Sequence, residues 1–162
     1  AVSEGSAMLG CMTSWATFAA AEPEFADRVR GCFSRRKHAT LATLRRDGSP
    51  RISGTEVEFV GDDVCLGMMP GSVKALDLHR DPRLALHSPT VDPPEEDPGA
   101  WPGEAKIAGV AREVPGSGAP GEGHRFTVGL LEVVVTAVGV PADHLVIESW
   151  HPGRGLQRRT RR

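Results

Sequence analysis

The feature that most narrows the fold is a change of hydrophobic period near residue 39. Before it, apolar residues recur at helical spacing. Phe25, Val29, Cys32 and Phe33 share one face of a helix expected over 24–36, and a shorter helix over 15–21 is capped by Ser14 and ends near Pro23. After it, the period drops to two. A strand over 39–45 runs into Asp47-Gly48, a strong hairpin turn, and 51–60 is the return strand. Gly61-Asp62 then turns the chain into a third strand over 63–69. Consecutive hairpins favour an antiparallel barrel over a doubly wound sheet.

The remaining chain fits that reading. A helix over 72–80 is expected to carry Val73, Leu76 and Leu78 toward the core, and Asp81-Pro82 ends it. Strands follow over 83–88, 104–114, 126–138 and 144–150. The acidic, proline-rich stretch 89–103 is a loop whose Trp101 is either a lid or a surface anchor, and 115–123 is a Gly/Pro linker. About seven strands and three short helices make a mainly β chain. Residues 1–13 are expected to be a disordered N-terminal segment or tag, with Met12 a natural initiator, 14–153 the barrel, and 154–162 a basic tail. That tail is either a solvated end or a set of arginines folded back onto anionic groups.

Composition excludes several classes. A formal net charge of −2 implies no general affinity for nucleic acid or anionic membrane. No apolar run approaches the ~20 residues of a bilayer span. Three cysteines without a CxxC pair suggest a reduced, cytoplasmic protein, with Cys32 and Cys65 on core faces. The six histidines show no metal-ligand spacing, so no metal site is expected.

One short stretch carries chemistry. Gly71-Ser72-Val73-Lys74 lies between a strand and a helix, where unpaired N–H groups and the positive end of the helix dipole suit a phosphate. Lys74 adds an ammonium, one of only three lysines beside sixteen arginines, and Ser72 a hydroxyl. Otherwise Ser72 is simply an N-cap and Lys74 a solvated residue.

Taken in order, Thr40-Leu41-Ala42-Thr43-Leu44, Asp47-Gly48-Ser49-Pro50, Gly71-Ser72-x-Lys74 and Arg80-Asp81-Pro82-Arg83-Leu84-Ala85-Leu86 resemble the pyridoxamine-phosphate-oxidase-like group. These are flavin-binding split β-barrels that include FMN enzymes and relatives using the deazaflavin F420. The resemblance implies a homodimer with two cofactor sites at its interface. Lys74 and Ser72, with Gly71 and Val73, would hold the cofactor phosphate. Ser53, Gly54 and Thr55 would run beside the ribityl chain and ring. Met68, Met69 and Pro70 would supply further wall, or else Met68 and Met69 are plain strand core. Trp150, in Ile147-Glu148-Ser149-Trp150, would lie near the flavin or in the dimer core. Glu104 falls where the oxidases place a Gln that reaches the ring. Arg51 either reaches a phosphate or faces outward. His151 is the best candidate for proton donation, or else a partly exposed polar residue.

Departures matter too. Glu58 stands where true oxidases carry a Lys, Ser53 replaces an Arg, and Leu156-Gln157-Arg158-Arg159-Thr160 lacks the family's His. The vitamin B6 reaction is therefore not expected. The expectation is an FMN-binding oxidoreductase that moves a hydride to or from a small conjugated substrate. An F420-dependent reductase, whose oligoglutamate tail the arginines would attract, is one alternative. A flavin- or haem-binding protein without turnover is the other.

Overall fold

The computed structural model describes residues 12–162. Two helices, α1 (Trp15–Ala21) and α2 (Pro23–Ser34), precede the strands. Ser14 caps α1, its Oγ accepting the Thr17 N–H at 3.1 Å, and Pro23 occupies the first turn of α2, where its missing N–H costs nothing. Then come β1 (His38–Leu44), β2 (Pro50–Val60), β3 (Asp63–Met68), helix α3 (Val73–Arg80), β4 (Arg83–His87), β5 (Glu104–Glu113), β6 (His124–Val138), β7 (Leu145–His151) and β8 (Gly155–Arg161).

All neighbours are antiparallel, in the order β3-β2-β1-β4-β5-β6-β7-β8, and a further pairing of β3 with β6 closes a six-stranded barrel. Closure removes the free edges of the first six strands. Alternation sends Leu41, Leu66, Leu86 and Ile107 into a core that is shut on one side by Trp15, Phe18, Phe25, Val29 and Phe33 of the two N-terminal helices. In β6 the alternation has to change parity. Ala108 of β5 pairs with Glu132 and Gly109 with Leu130, which leaves Leu131 as an extra residue. This bulge lets Phe126, Val128 and Leu130 before it and Val133 and Val135 after it all face inward. Among the described residues no helix is long and apolar enough to cross a membrane.

Three expectations need correction. The basic tail 154–162 is a strand: β8 pairs with β7 along its whole length, with Glu148 opposite Arg158 and Ile147 opposite Arg159. Its pairing is made by the backbone, so the like charges do not prevent it, and Leu156 packs against the core. At the other end, Thr13 exchanges both backbone hydrogen bonds with Leu130, at 3.1 and 2.8 Å, so the boundary expected at 13 falls earlier; residues 1–11 lie outside the described residues. Finally, α3 is rotated from the expected face. Val73 and Leu76 are exposed, while Ala75, Asp77 and Leu78 are buried.

Candidate functional site

Asp77 explains that rotation. It is 2% exposed and its carboxylate is gripped from three elements: Arg51 Nε of β2 donates to Oδ2 at 2.6 Å, Arg80 Nη2 of α3 itself to Oδ1 at 2.8 Å, and Thr43 Oγ1 of β1 to Oδ2 at 2.9 Å. Burial alone would push its pKa up, but the hydrogen bonds from Arg51, Arg80 and Thr43 and the charge of Arg51 outweigh it and hold the group down to about 2. Arg51 thus spends its Nε on Asp77, while its side chain stays 22% exposed. It points to the inner side of β2 and fastens α3 to the barrel mouth.

So fastened, α3 presents its first turn to solvent beside β2. Gly71 has φ +65°, a left-handed conformation that a side chain would strain, and this bends the chain into the helix. Ser72 occupies the N-cap position, yet its hydroxyl makes no capping bond, and its Oγ is buried without a partner. A side-chain rotation would be needed to turn this unbonded hydroxyl toward an acceptor outside the chain. Lys74 Nζ donates to the Gly54 carbonyl at 2.5 Å, so the ammonium rests against β2 at the same spot. The cradle thus joins Gly71, Ser72, Val73 and Lys74 with Gly54. Its donors are a hydroxyl, an ammonium and first-turn N–H groups, a set suited to a phosphate group.

A groove of about 550 Å³ lies over the outer face of the sheet, and Thr40 in its lining pairs with Gly54. One row crosses five strands: Ile52, Ala42, Ala85, Ala108 and Glu132 stand in register. The next row holds Gly54, Thr40, His87 and Lys106. Small side chains keep the floor flat, and a Cβ at Gly54 would meet nothing within 4 Å. Ile52 is 76% exposed. Polar groups collect at the far end. Glu104 bridges His87 Nε2 at 3.2 Å and Lys106 Nζ at 3.0 Å, while His151 Nε2 lies 3.0 Å from Glu132 Oε1. His151 Nδ1 is buried without a partner.

The remaining expected residues divide. Glu104 and, through Glu132, His151 belong to the groove's polar end. Met69 and Pro70 are exposed on the loop leading to the cradle. Ser53 and Thr55 point to the inner face, where Thr55 is 3% exposed, so Thr55 offers the groove only its backbone. Met68 is core. Trp150 is also core: its ring lies 4.8 Å from that of Phe18, beneath α1 and away from the surface. Trp101 anchors its own loop, Nε1 donating to the Val91 carbonyl at 2.6 Å. Reading the sequence missed Asp77 and the floor residues Ala42, Ala85 and Ala108. Alternation with small residues on the non-core positions of β1, β4 and β5 was the available signal.

No known family's sequence model matches the chain, and no curated protein matches it in sequence. Solved structures do match in shape. PhzG from Burkholderia lata 383, in complex with tetrahydrophenazine-1-carboxylic acid, superposes with a TM-score of 0.62 at 10% identity, over 90% of this chain and 92% of its own. A pyridoxamine 5'-phosphate oxidase-related, FMN-binding protein from Nostoc punctiforme PCC 73102 gives 0.62 at 10% identity, over 93% and 100%. A haem-binding protein from Mycobacterium smegmatis gives 0.51 at 16% identity, over 85% and 87%. These likenesses are of fold: the chain is a split β-barrel, the fold it shares with these FMN- and haem-binding proteins, as the order of its sequence words suggested.

Proposed function

We propose that this protein is an FMN-binding oxidoreductase that works as a homodimer, with the cofactor phosphate in the α3 cradle and its ring along the groove. The observation that carries this reading is the helix-start pair of Ser72, whose hydroxyl is unbonded, and Lys74, whose ammonium lies on Gly54, the strand partner of Thr40 in the lining of a shallow groove. Ser72, Lys74 and the first-turn N–H groups would hold the phosphate. Gly54 and Thr40 would let a planar ring lie close to the sheet. Bound there, a flavin supplies hydride chemistry, and the chain supplies binding, orientation and exclusion of water. His87 and His151, each against a carboxylate, are the groups able to hold or deliver a proton at the groove's polar end.

One subunit leaves the groove open, with Ile52 exposed to water. A second copy laid on the same face would bury it, and two-fold pairing is the commonest way for a chain to do so. The free thiols Cys32 and Cys65 fit a reducing, cytoplasmic setting.

Titration of the purified protein with FMN and with F420, each followed by fluorescence quenching, tests the reading. Saturable FMN binding that Lys74→Ala weakens supports it. Tight binding of F420 alone moves the assignment to a deazaflavin reductase. Binding without turnover of quinone or nitro acceptors points to a carrier or sensor, and binding of neither cofactor removes the reading.

A further inference from the structure

At the opposite end of α3, His79 from its last turn, Glu113 from the end of β5 and His124 from the start of β6 converge. His79 Nε2 lies 2.7 Å from Glu113 Oε2, and His124 Nδ1 lies 2.8 Å from Glu113 Oε1. Their ligand-type atoms all fall within 4.8 Å of one another. Buried Phe126 backs both imidazoles, its ring centroid 5.6 Å from that of His79 and 6.3 Å from that of His124. On another side the loop after β5 closes down. Gly118 has φ +77°, and a Cβ there would lie 2.7 Å from both Glu113 Oε1 and His124 Nδ1. The open side is that of His79, whose side chain is 39% exposed.

From this geometry we infer a binding site for one divalent transition cation of the zinc class, held by His79, Glu113 and His124. Two neutral imidazoles and one carboxylate are borderline donors that suit such ions better than calcium or magnesium, which prefer all-oxygen shells. Metal–ligand lengths of ~2.0–2.2 Å around a tetrahedron place neighbouring donor atoms about 3.4 Å apart. The present nitrogen–oxygen separations of 2.7 and 2.8 Å need to open by about 0.6–0.7 Å, and the two nitrogens, within 4.8 Å of each other, need to settle to the same spacing, all within the reach of side-chain rotation. Each imidazole can free its ligating nitrogen by moving its proton to the other ring nitrogen or to solvent. Three protein donors leave the fourth position, on the exposed His79 side, for water. The ion would clamp the last turn of α3 to the β5–β6 hairpin, and so steady the helix whose first turn forms the anion cradle. Residues from three separate elements make the set, and for that reason no spacing along the chain announced it.

Chelator-treated protein should be titrated with Zn2+ by calorimetry and its melting followed with and without the ion. The expected result is one ion per chain, a higher melting temperature with Zn2+, and at least tenfold weaker binding in both His79→Gln and Glu113→Gln. His79→Gln changes an exposed residue, and circular dichroism of both variants checks that the fold persists. Co2+ in place of Zn2+ should give visible d–d bands without thiolate-to-cobalt charge transfer, which separates this site from binding at a cysteine. No binding at millimolar Zn2+, binding unaffected by His79→Gln, or a thiolate band would overturn the assignment. None of these readouts depends on FMN, so the metal site and the flavin reading fail separately.

Discussion

The two faces of the strand run β2-β1-β4-β5 obey the same alternation and end in opposite conditions. Inward, Leu41, Leu86 and Ile107 are fully packed, and the buried carboxylate at the barrel mouth, Asp77, has three hydrogen-bond donors. Outward, Ala42, Ala85 and Ala108 form a shallow floor, Ile52 stands in solvent, and the Ser72 hydroxyl at the start of α3 has no partner. A fold needs only the first of these faces. The second has unfilled volume and exposed apolar side chains that the fold itself does not use.

Stability should therefore reside on the inner face. Ile107→Ala leaves a cavity in a core with no slack and should cost about 2–5 kcal/mol in urea unfolding. A cost as small as that of an outer-face substitution would erase the distinction. Asp77→Ala should come next, at about 3 kcal/mol, because it strands Arg51 and Arg80 beside a hole. The pH dependence has a definite sign. A carboxyl lowered from 3.8 to about 2 stabilises the fold in full above its unfolded value and loses that contribution as pH falls from about 4 toward 2. Roughly 2 kcal/mol is at stake, so the stability gap between the native chain and Asp77→Asn should shrink over that range. A gap that widens in acid would contradict the assignment.

The inner face was also the legible one. β1, β2 and β3 could be read because each hairpin is local and its turn chemistry explicit, as in Asp47-Gly48. Pairing of β3 with β6 is long-range, and no local word encodes it. β8 was hidden because Arg158, Arg159 and Arg161 lack the apolar alternation by which strands are recognised, although the backbone pairs regardless. The surroundings of Trp150 were hidden for a related reason: period two says that it faces one side of β7, and only the position of α1 says that Phe18 waits there. Of the candidate site, the turn and helix start at Gly71–Lys74 were readable as a local motif. The groove floor was not, since an alanine's smallness signals nothing until its strand neighbours are known.

On the outer face the effects should appear in binding and leave folding nearly untouched. Lys74→Ala removes the cradle's one ammonium and should weaken FMN by roughly 1.5–3 kcal/mol, the scale of a charged hydrogen bond, with little change in melting. Equal loss of stability and of affinity would mean that Lys74 matters for its bond to the Gly54 carbonyl and the cradle is structural.

The smallest folding effect, and the sharpest contrast, belongs to Ile52→Asp. In a single chain this side chain touches little, so its replacement should shift the monomer's stability by no more than about 0.5 kcal/mol, as for an ordinary surface position. If a second copy covers the groove, the same change places two carboxylates, one from each subunit, in or beside an apolar interface around the two-fold axis, where each needs a partner that the floor of alanines cannot provide. Sedimentation at micromolar concentration should then show a dimer for the native chain and a monomer for the variant, with FMN affinity reduced alongside. A native chain that sediments as a monomer would break the comparison at its root, because the outer face would then be open without an occupant and the exposure of Ile52 would have no use.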